Sequence, residues 1–299
     1  MVRAQTPRFT LDDVILPPHT RERLEGLLGK VEHHRELYED WDFGAIDPDG
    51  RRVAINLYGP PGTGKSMCAE ALASRMRKQL LCVSYAELES KYVGETPKNI
   101  VAAFAAARAQ DALLFFDEAD SILGRRLTSV TQSADHGVNV SRSTMLLQLD
   151  RFEGIVVFAT NLARNYDGAF VRRILGHVEL GLPDAHGRTR LSDRFLRPRL
   201  PRHEDVTSAW LAAETDGLAG GELKQIILNA ATRAVRRQGD ARRVSRADLA
   251  AEIEVLRHAR RAIGLDPGLR VREDVLDHSV LGEAAAAPAS ALEPAAAAV

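Results

Sequence analysis

The sequence has few of the features that mark secreted, membrane-bound or strongly charged proteins. Of its 299 residues two are cysteine, and the formal net charge is −1 at pH 7. Two cysteines cannot build a disulfide scaffold, so we expect Cys68 and Cys82 to be reduced thiols in core elements of a cytoplasmic protein. The near-zero net charge excludes a global electrostatic attraction to nucleic acid or to acidic membranes.

Long hydrophobic runs are also absent. A membrane-spanning helix needs roughly 20 consecutive apolar residues, and a secretory leader needs an apolar segment near the N-terminus. Neither pattern occurs, so we expect no membrane anchor. Ordinary core-forming residues are plentiful, since 45% of the chain is hydrophobic and 27% is charged. A chain of this length can form one large and one small domain, each with its own core.

The most informative segment is a glycine-rich run at residues 59–66, which fits the phosphate-binding pattern G-x-x-x-x-G-K-[ST]. A strand pattern at residues 53–58 precedes it, and a helix-forming stretch at 67–76 follows it. Strand, glycine loop and helix together aim backbone N–H groups at phosphate. The alternative is a chance glycine-rich turn. The predicted nucleotide contacts here are Gly59, Pro60, Pro61, Gly62, Thr63, Gly64, Lys65, Ser66 and Met67.

This pattern gives its last two polar residues specific roles. Lys65 reaches the β- and γ-phosphates of a nucleoside triphosphate, and the Ser66 hydroxyl is a Mg²⁺ ligand. A second apolar strand, at residues 113–116, ends in Asp117 and Glu118. Ligands of open α/β sheets gather at the carboxyl ends of strands, so both carboxylates are expected beside the glycine loop. Asp117 is then a Mg²⁺ ligand and Glu118 the general base for water attack, the alternative being a solvated acidic turn.

A third strand pattern, at residues 154–159, ends in Thr160 and Asn161. We expect Asn161 to orient the attacking water or to touch the γ-phosphate, and the alternative is an Asn that begins a turn. Strand and helix patterns alternate up to about residue 183, which predicts an α/β fold with a parallel sheet flanked by helices. An amphipathic helix is predicted before the sheet, at residues 19–38.

These motifs resemble those of AAA+ ATPases of the core AAA clade, such as proteasomal ATPases, katanin, spastin and FtsH-type unfoldases. The resemblance rests on GPPGTGKS, FFDEAD, FATN and AFVRR, and extends from about residue 9 to about residue 263. It implies ATP and Mg²⁺ as cofactors, ATP hydrolysis, and hexameric rings with nucleotide bound between subunits. It also implies that Val14 and Ile15 contact adenine and that Gly221 begins a lid helix, in which we expect Lys224 to be solvated.

A short segment after the second strand matches the family's pore loop. Lys91, Tyr92 and Val93 lie where the resemblance places a loop that faces the central pore and grips an extended polypeptide. An aromatic side chain suits that role because it offers a large contact area at low entropy cost, whatever the substrate sequence. The alternative is a buried structural tyrosine.

Two adjacent arginines match the family's arginine fingers, which reach the γ-phosphate bound to a neighbouring subunit. Arg172 falls at the first finger position. The usual spacing puts a second arginine three residues later, where this chain has Leu175, so Arg173 is the candidate for the second finger. The alternative is a solvated arginine pair at a helix end.

A long polar loop is predicted at residues 125–139, which corresponds by family position to a second pore loop. His136 within it has no partner at metal-ligand spacing and is expected to be a plain loop residue. The predicted organisation is an N-terminal tail at 1–8, an AAA+ α/β nucleotide-binding domain at 9–185, a helical lid at 186–263 and an alanine- and proline-rich disordered tail at 264–299.

Three functions compete. The leading one is a homo-oligomeric, ATP-hydrolysing ring that remodels, unfolds or disassembles protein substrates by pulling polypeptide through its pore. The second is a nucleic-acid-linked ATPase that uses a basic lid surface. The third is a slowly cycling nucleotide-gated scaffold. The arginines of that lid surface are Arg236, Arg237, Arg242, Arg243, Arg257, Arg260 and Arg261, and their interspersed acids are more typical of a solvated face.

Overall fold

The alternation of strands and helices builds a parallel sheet. The computed structural model describes residues 3–47, 50, 52–84, 88, 95–124, 133–161 and 166–264. The strands within these ranges are β1 (Val53–Tyr58), β2 (Gln79–Ser84), β3 (Ala112–Asp117), β4 (Ile155–Thr160) and β5 (Gly176–Glu179). All pairings are parallel, in the order β2-β3-β4-β1-β5.

The strand order places the three predicted motifs side by side. Strands β1 and β4 end level with each other, because Tyr58 pairs with Thr160. Strand β3 lies on the other side of β4, with Phe116 opposite Phe158. The glycine loop after β1 and the polar residues after β3 and β4 therefore meet at one edge of the sheet, as expected for a ligand site in this class of fold.

The sheet is buried on both faces, which explains its near-continuous apolar strands. One face packs around Phe104, Phe116 and Phe158, and the rings of Phe116 and Phe158 stack with centroids 5.4 Å apart. The other face packs Leu57 and Leu72 with the remaining strand residues. Because these side chains are fully buried, the strand ends that carry the site are fixed by the core.

The two cysteines differ in burial. Cys68 is fully buried in the helix after the glycine loop, and this burial raises the pKa of its thiol to about 12. Cys82 lies in β2, a core element as expected, but its side chain is exposed. Strand β2 pairs with β3 at the edge of the described sheet, and on its outer side the backbone of Leu80 exchanges two hydrogen bonds with Gln5.

Helices flank the sheet and were predicted less well than the strands. The amphipathic helix predicted at 19–38 ends at Glu32, and a π-helical turn (Glu36–Asp40) and a 3-10 turn (Phe43–Ala45) follow it. Leu24 and Leu28 are its buried apolar residues, and no buried residue follows in the π turn to extend the packing face. Among the described residues up to 171, the α-helices are α1 (Pro18–Glu32), α2 (Lys65–Arg75), α3 (Glu95–Ala109), α4 (Asp120–Leu123), α5 (Ser133–Leu149) and α6 (Gly168–Val171).

The polar loop predicted at 125–139 is partly helical. Helix α5 begins at Ser133, so His136 belongs to a helix, and its prediction as a loop residue was wrong. The rest of that segment, residues 125–132, lies outside the described residues. Met145, Leu146 and Leu149 anchor α5 in the core, and extending an anchored helix costs little even through polar residues.

The C-terminal part is helical, with capped helix starts. Its elements are α7 (Ala185–Phe195), α8 (Ser208–Glu214), α9 (Gly220–Val235), a 3-10 turn (Gly239–Ala241) and α10 (Arg246–Ala262). The side chain of Asp184 caps α7 by accepting from Gly187 N, and Thr207 caps α8 by accepting from Trp210 N. Residues 1–253 form one compact unit; in the second, 254–299, Arg257 pairs with Glu254 near the end of α10.

Candidate nucleotide-binding site

The glycine loop has a backbone shape that side chains would block. Gly59 has φ +145°, and a Cβ added there would lie 2.2 Å from the carbonyl oxygen of Leu180. Gly64 has φ +97° and is the residue from which α2 begins. Both conformations favour glycine. The loop therefore turns sharply and leaves the first N–H groups of α2 pointing into the site, which suits an anionic phosphate.

Lys65 is drawn into this loop. It is 8% exposed, and its Nζ donates to the carbonyl oxygens of Gly59 (2.7 Å) and Pro60 (2.9 Å). Burial lowers the pKa of Lys65, and the nearby carboxylates Asp117 and Asp120 partly offset that effect. A buried ammonium with neutral carbonyl partners gains from a bound anion, so the loop fits the phosphates of a nucleotide.

The two predicted Mg²⁺ ligands lie together although they are far apart in sequence. Ser66 Oγ donates to Asp117 Oδ2 at 2.9 Å, across 51 residues. A hydroxyl and one carboxylate, completed by phosphate oxygens and water, are a typical protein contribution to a Mg²⁺ site. No group of three or more His, Cys, Asp or Glu side chains suited to a metal occurs in the part of the chain that the structure describes. These residues thus fit Mg²⁺ held jointly with a nucleotide.

Glu118 stands just beyond the end of β3 with an unusual backbone. Its φ is +53°, in the left-handed region that costs a non-glycine residue energy, and its side chain is exposed. The backbone N–H of Glu118 donates to Asp117 Oδ1 at 2.9 Å, which holds this geometry. Strain of this kind persists where the surroundings enforce it, and it often marks functional residues.

Asp120 was not predicted as a site residue, although it belongs to the same acidic run. Its carboxylate accepts from the backbone N–H of Asn161, at 3.1 Å to Oδ1 and 3.4 Å to Oδ2. The N–H of Ala119 donates to the Ala159 carbonyl at 2.9 Å. Asp120 therefore fixes the start of the segment after β4 and places exposed Asn161 beside the β3 carboxylates.

A polar network inside the sheet was also missed. The Tyr166 hydroxyl lies 2.8 Å from Thr160 Oγ1, and the fully buried Asn56 donates to it from Nδ2 at 3.1 Å. Asn56 Nδ2 also lies 3.3 Å from His177 Nδ1, and burial lowers the pKa of His177. An asparagine in an otherwise apolar strand was the available signal. The network supports Thr160, which directly precedes Asn161.

One backbone contact joins helix α9 to the glycine loop. The N–H of Gly221 donates to the carbonyl of Gly62 at 2.9 Å, so the first turn of α9 rests on the phosphate loop. Val14 is 5% exposed within the core, and Ile15 is half-buried. Lys224 is exposed on α9, in agreement with its expected solvation.

The two candidate finger arginines have different partners. Arg173 forms a two-bond ion pair with Asp150, with Nε to Oδ1 at 2.7 Å and Nη2 to Oδ2 at 2.9 Å, and this pair lowers the pKa of Asp150. Arg172 is exposed, and its Nε donates to the Gly168 carbonyl at 3.3 Å. Arg173 is thus held by a residue of its own chain, whereas Arg172 is exposed at the end of α6. Lys91, Tyr92 and Val93 lie outside the described residues.

Comparison with known proteins identifies the nucleotide-binding region. Residues 55–182 match the model of the family described as "ATPase family associated with various cellular activities (AAA)". These residues include the glycine loop, the β3 carboxylates, Asn161 and both candidate fingers.

Similar proteins include a probable 26S proteasome regulatory subunit 10B of Caenorhabditis elegans, 32% identical over 70% of this chain and 54% of the relative. Spastin of Drosophila melanogaster is 34% identical over 60% of this chain and 24% of the relative. The chain thus spans about half or less of these curated relatives. The crystal structure of the FIGL-1 AAA domain in complex with ADP has a TM-score of 0.64 at 24% identity, covers 85% of this chain and 86% of that one, and shows the shared fold. The family predicted from the motifs is confirmed: this chain carries an AAA ATPase domain.

Proposed function

We propose that this protein is a Mg²⁺-dependent ATPase that works as a homo-oligomeric ring, with six subunits as in the resemblance, and remodels protein substrates. The carrying observation is the joint placement of Lys65, Ser66 and Asp117, with Glu118 projecting beside them from a strained backbone. Binding alone needs the first three. The separate, exposed carboxylate supplies the general base that hydrolysis requires.

The residues divide the reaction between them. The N–H groups of the glycine loop and Lys65 bind the phosphates, and Ser66 and Asp117 hold the metal ion, which when bound neutralises charge on the phosphates. Glu118 accepts a proton from the attacking water, and Asn161, fixed by Asp120, orients that water. Val14 and Ile15 are assigned to adenine, and Gly221, which rests on the phosphate loop, is assigned to the ribose and phosphates.

Ring assembly follows from the finger arginines. An arginine that acts on a neighbour's nucleotide must be accessible at the surface of its own subunit, and exposed Arg172 at the end of α6 suits this role. Arg173, paired with Asp150, supports that position from within the subunit. We therefore assign Arg172 as the main finger, with hydrolysis completed only between subunits.

A polypeptide substrate is the class that the relatives favour, because the names of those compared are a proteasome regulatory subunit and spastin. The grip on that polypeptide is assigned to Lys91, Tyr92 and Val93 by their motif. The nucleic-acid alternative gains no support from the lid: Arg237 pairs with Asp248, and Arg233 with Glu252. None of the described helices has the length and apolarity to cross a bilayer. Cytoplasmic location stays a prediction.

The decisive experiment replaces Glu118 by Gln, which keeps the size of the side chain and removes the base. ATP affinity should be retained while turnover falls by about 10²-fold or more, the usual scale for loss of a general base. Glu204→Gln, at an exposed carboxylate of the lid, is the matched control and should leave turnover unchanged. Equal ATPase rates for Glu118→Gln and the unaltered protein would refute the assignment.

A further inference from the structure

The segment that carries the adenine contacts is tied to two different parts of the molecule. At its start, the guanidinium of Arg8 meets the carboxylate of Glu70 on α2, with Nε to Oε1 at 3.1 Å and Nη2 to Oε2 at 3.2 Å. At its centre, Arg194 of α7 donates from Nη1 to the carbonyl of Asp13 at 2.6 Å and from Nη2 to its Oδ1. One tie leads to the phosphate-loop helix and the other to the lid.

The tie to the lid acts on an already ordered turn. The second carboxylate oxygen of Asp13 accepts from the backbone N–H of Thr10 at 2.8 Å and from its hydroxyl at 3.0 Å. The pKa of Asp13 is lowered, most strongly by the hydrogen bond from the backbone of Thr10 and next by the hydrogen bond from Arg194. One carboxylate thus shapes the turn with one oxygen and binds the lid with the other. Val14, the next residue, is buried in the core.

We propose that Arg194 and Asp13 form a positioning pair that couples the lid to the adenine-contacting segment and thereby sets affinity for the adenine part of the nucleotide. This rests on the proposed function, because it assumes that Val14 and Ile15 contact adenine. The lid also meets the phosphate loop separately, through Gly221 and Gly62, and that contact does not involve Arg194. Phosphate binding and adenine binding are therefore carried by separable contacts.

The ion pair between Arg194 and Asp13 is of intermediate strength, which suits a contact that forms and breaks. The side chains of Arg194 and Asp13 are 33% and 32% exposed, so solvent weakens the ion pair without removing it. Its two hydrogen bonds are charge-assisted, and one of the two reaches the backbone carbonyl of Asp13, which fixes the orientation of α7 against the turn. Opening the lid breaks these bonds and frees residues 10–15 from the lid side.

The test compares a ligand that has adenine with one that lacks it. Binding of ADP and of inorganic tripolyphosphate, each with Mg²⁺, is measured by calorimetry on the full chain and on Arg194→Ala. We expect ADP to bind about 5- to 20-fold more weakly, the scale for losing charge-assisted bonds, and tripolyphosphate to change less than about twofold. In ATPase assays KM should rise while kcat stays within about twofold, since ground state and transition state lose the same contact.

Three variants keep the outcome interpretable. Arg194→Lys retains charge but not the forked geometry and should recover part of the ADP affinity. Asp13→Asn keeps an oxygen for Thr10, and adding Arg194→Ala to it should cost less than Arg194→Ala alone costs. Asp12→Asn removes the neighbouring pair with Arg21, which does not reach the lid, and should change neither ligand.

Two results would overturn the pair's role. One is ADP affinity within twofold of the unaltered protein in Arg194→Ala and Asp13→Asn alike; the other is an equal loss for ADP and tripolyphosphate. Thermal unfolding of every variant identifies any that fails to fold, and Arg194→Lys and Asp13→Asn then carry the comparison. If the unaltered protein binds tripolyphosphate and ADP equally, adenine is not recognised and this inference fails alone. If it binds neither, the proposed function fails as well.

Discussion

The phosphate end of the site and its outer parts are built by different kinds of interaction. Lys65 and Ser66 follow β1 through the glycine loop and Asp117 ends β3, and both strands are buried up to their last residue, so the core places these side chains. The candidate finger residue Arg173 and the segment proposed to contact adenine are held instead by partly exposed ion pairs, Arg173–Asp150 and Arg194–Asp13. Core packing gives a fixed geometry, whereas exposed ion pairs exchange partners at small cost. The residues proposed to bind phosphate and metal are thus fixed at the edge of the sheet, whereas the contacts that link the site to other parts of the molecule can adjust.

The largest effect at the phosphate end of the site is expected from the replacement of Lys65 by Ala. We expect ATP binding to be lost, because the change removes the buried cation that faces the phosphates, together with its hydrogen bonds to the carbonyls of Gly59 and Pro60. The measurement is ATP binding with a thermal unfolding curve of the same sample. Lys224→Ala, at an exposed lysine of the lid helix, is the control and should bind normally. Unchanged ATP affinity in Lys65→Ala would remove the phosphate role of the loop.

The next largest effect is expected at the two candidate finger arginines, in the outer part of the site. Arg172→Ala should lower ATPase activity by roughly 10³-fold, the lower range for loss of a finger acting in trans. Arg173→Ala and Asp150→Asn should give smaller losses that do not add, since each breaks the same pair. Activity per chain should rise with protein concentration, and mixing Glu118→Gln with Arg172→Ala subunits should restore part of it.

A different outcome would reassign the finger. If Arg173→Ala loses as much activity as Arg172→Ala while Asp150→Asn loses none, Arg173 reaches the neighbour and its pair with Asp150 is incidental. If activity per chain stays constant on dilution, hydrolysis needs no neighbour, and neither arginine acts in trans.

Gly59 tests the claim that backbone geometry builds the phosphate end. Gly59→Ala forces a Cβ to within 2.2 Å of the Leu180 carbonyl oxygen at a φ of +145°. We expect a loss of about 3 kcal/mol in the free energy of unfolding, measured by chemical denaturation. The control is Gly26→Ala in α1, where nothing lies within 4 Å of the added carbon, and there a gain of about 0.5–1 kcal/mol is expected. Equal stability of the two variants would contradict the geometry.

The difference between parts placed by the core and parts held by ion pairs also explains which features could be predicted from the sequence. Strand β1 was predicted to the residue and β4 to within one at each end, because buried parallel strands are continuous apolar runs bounded by polar motifs. The loop, the β3 carboxylates and Asn161 followed from motif spacing. The end of α1 and the start of α5 were missed, because helix ends depend on tertiary packing more than on local pattern.

The contacts of the outer parts could not be predicted, for a related reason. Arg194 and Asp13 are 181 residues apart, and nothing local marks either one as a partner. Asp150 likewise ends a helix without any motif that points to Arg173. Long-range polar pairs are specified by the folded backbone, so they appear only once the elements are placed. Asp120 was not predicted either, but its position was easier to predict, because it lies two residues from Glu118 within one acidic run.

The smallest expected effect concerns the polar network beneath the site. Tyr166→Phe keeps the ring and removes the hydroxyl shared by Thr160 and Asn56, which leaves a buried amide donor of Asn56 with a poorer set of partners. We expect a loss of about 1–2 kcal/mol in the free energy of unfolding. Tyr58→Phe is the control, at a half-buried tyrosine outside this network, and should change stability by less than about 0.5 kcal/mol. Because Thr160 directly precedes Asn161, kcat in Tyr166→Phe should fall by a few-fold with KM unchanged. If Tyr166→Phe matches Tyr58→Phe in both stability and kcat, the network does not support the strand end, and core packing alone fixes the position of Asn161.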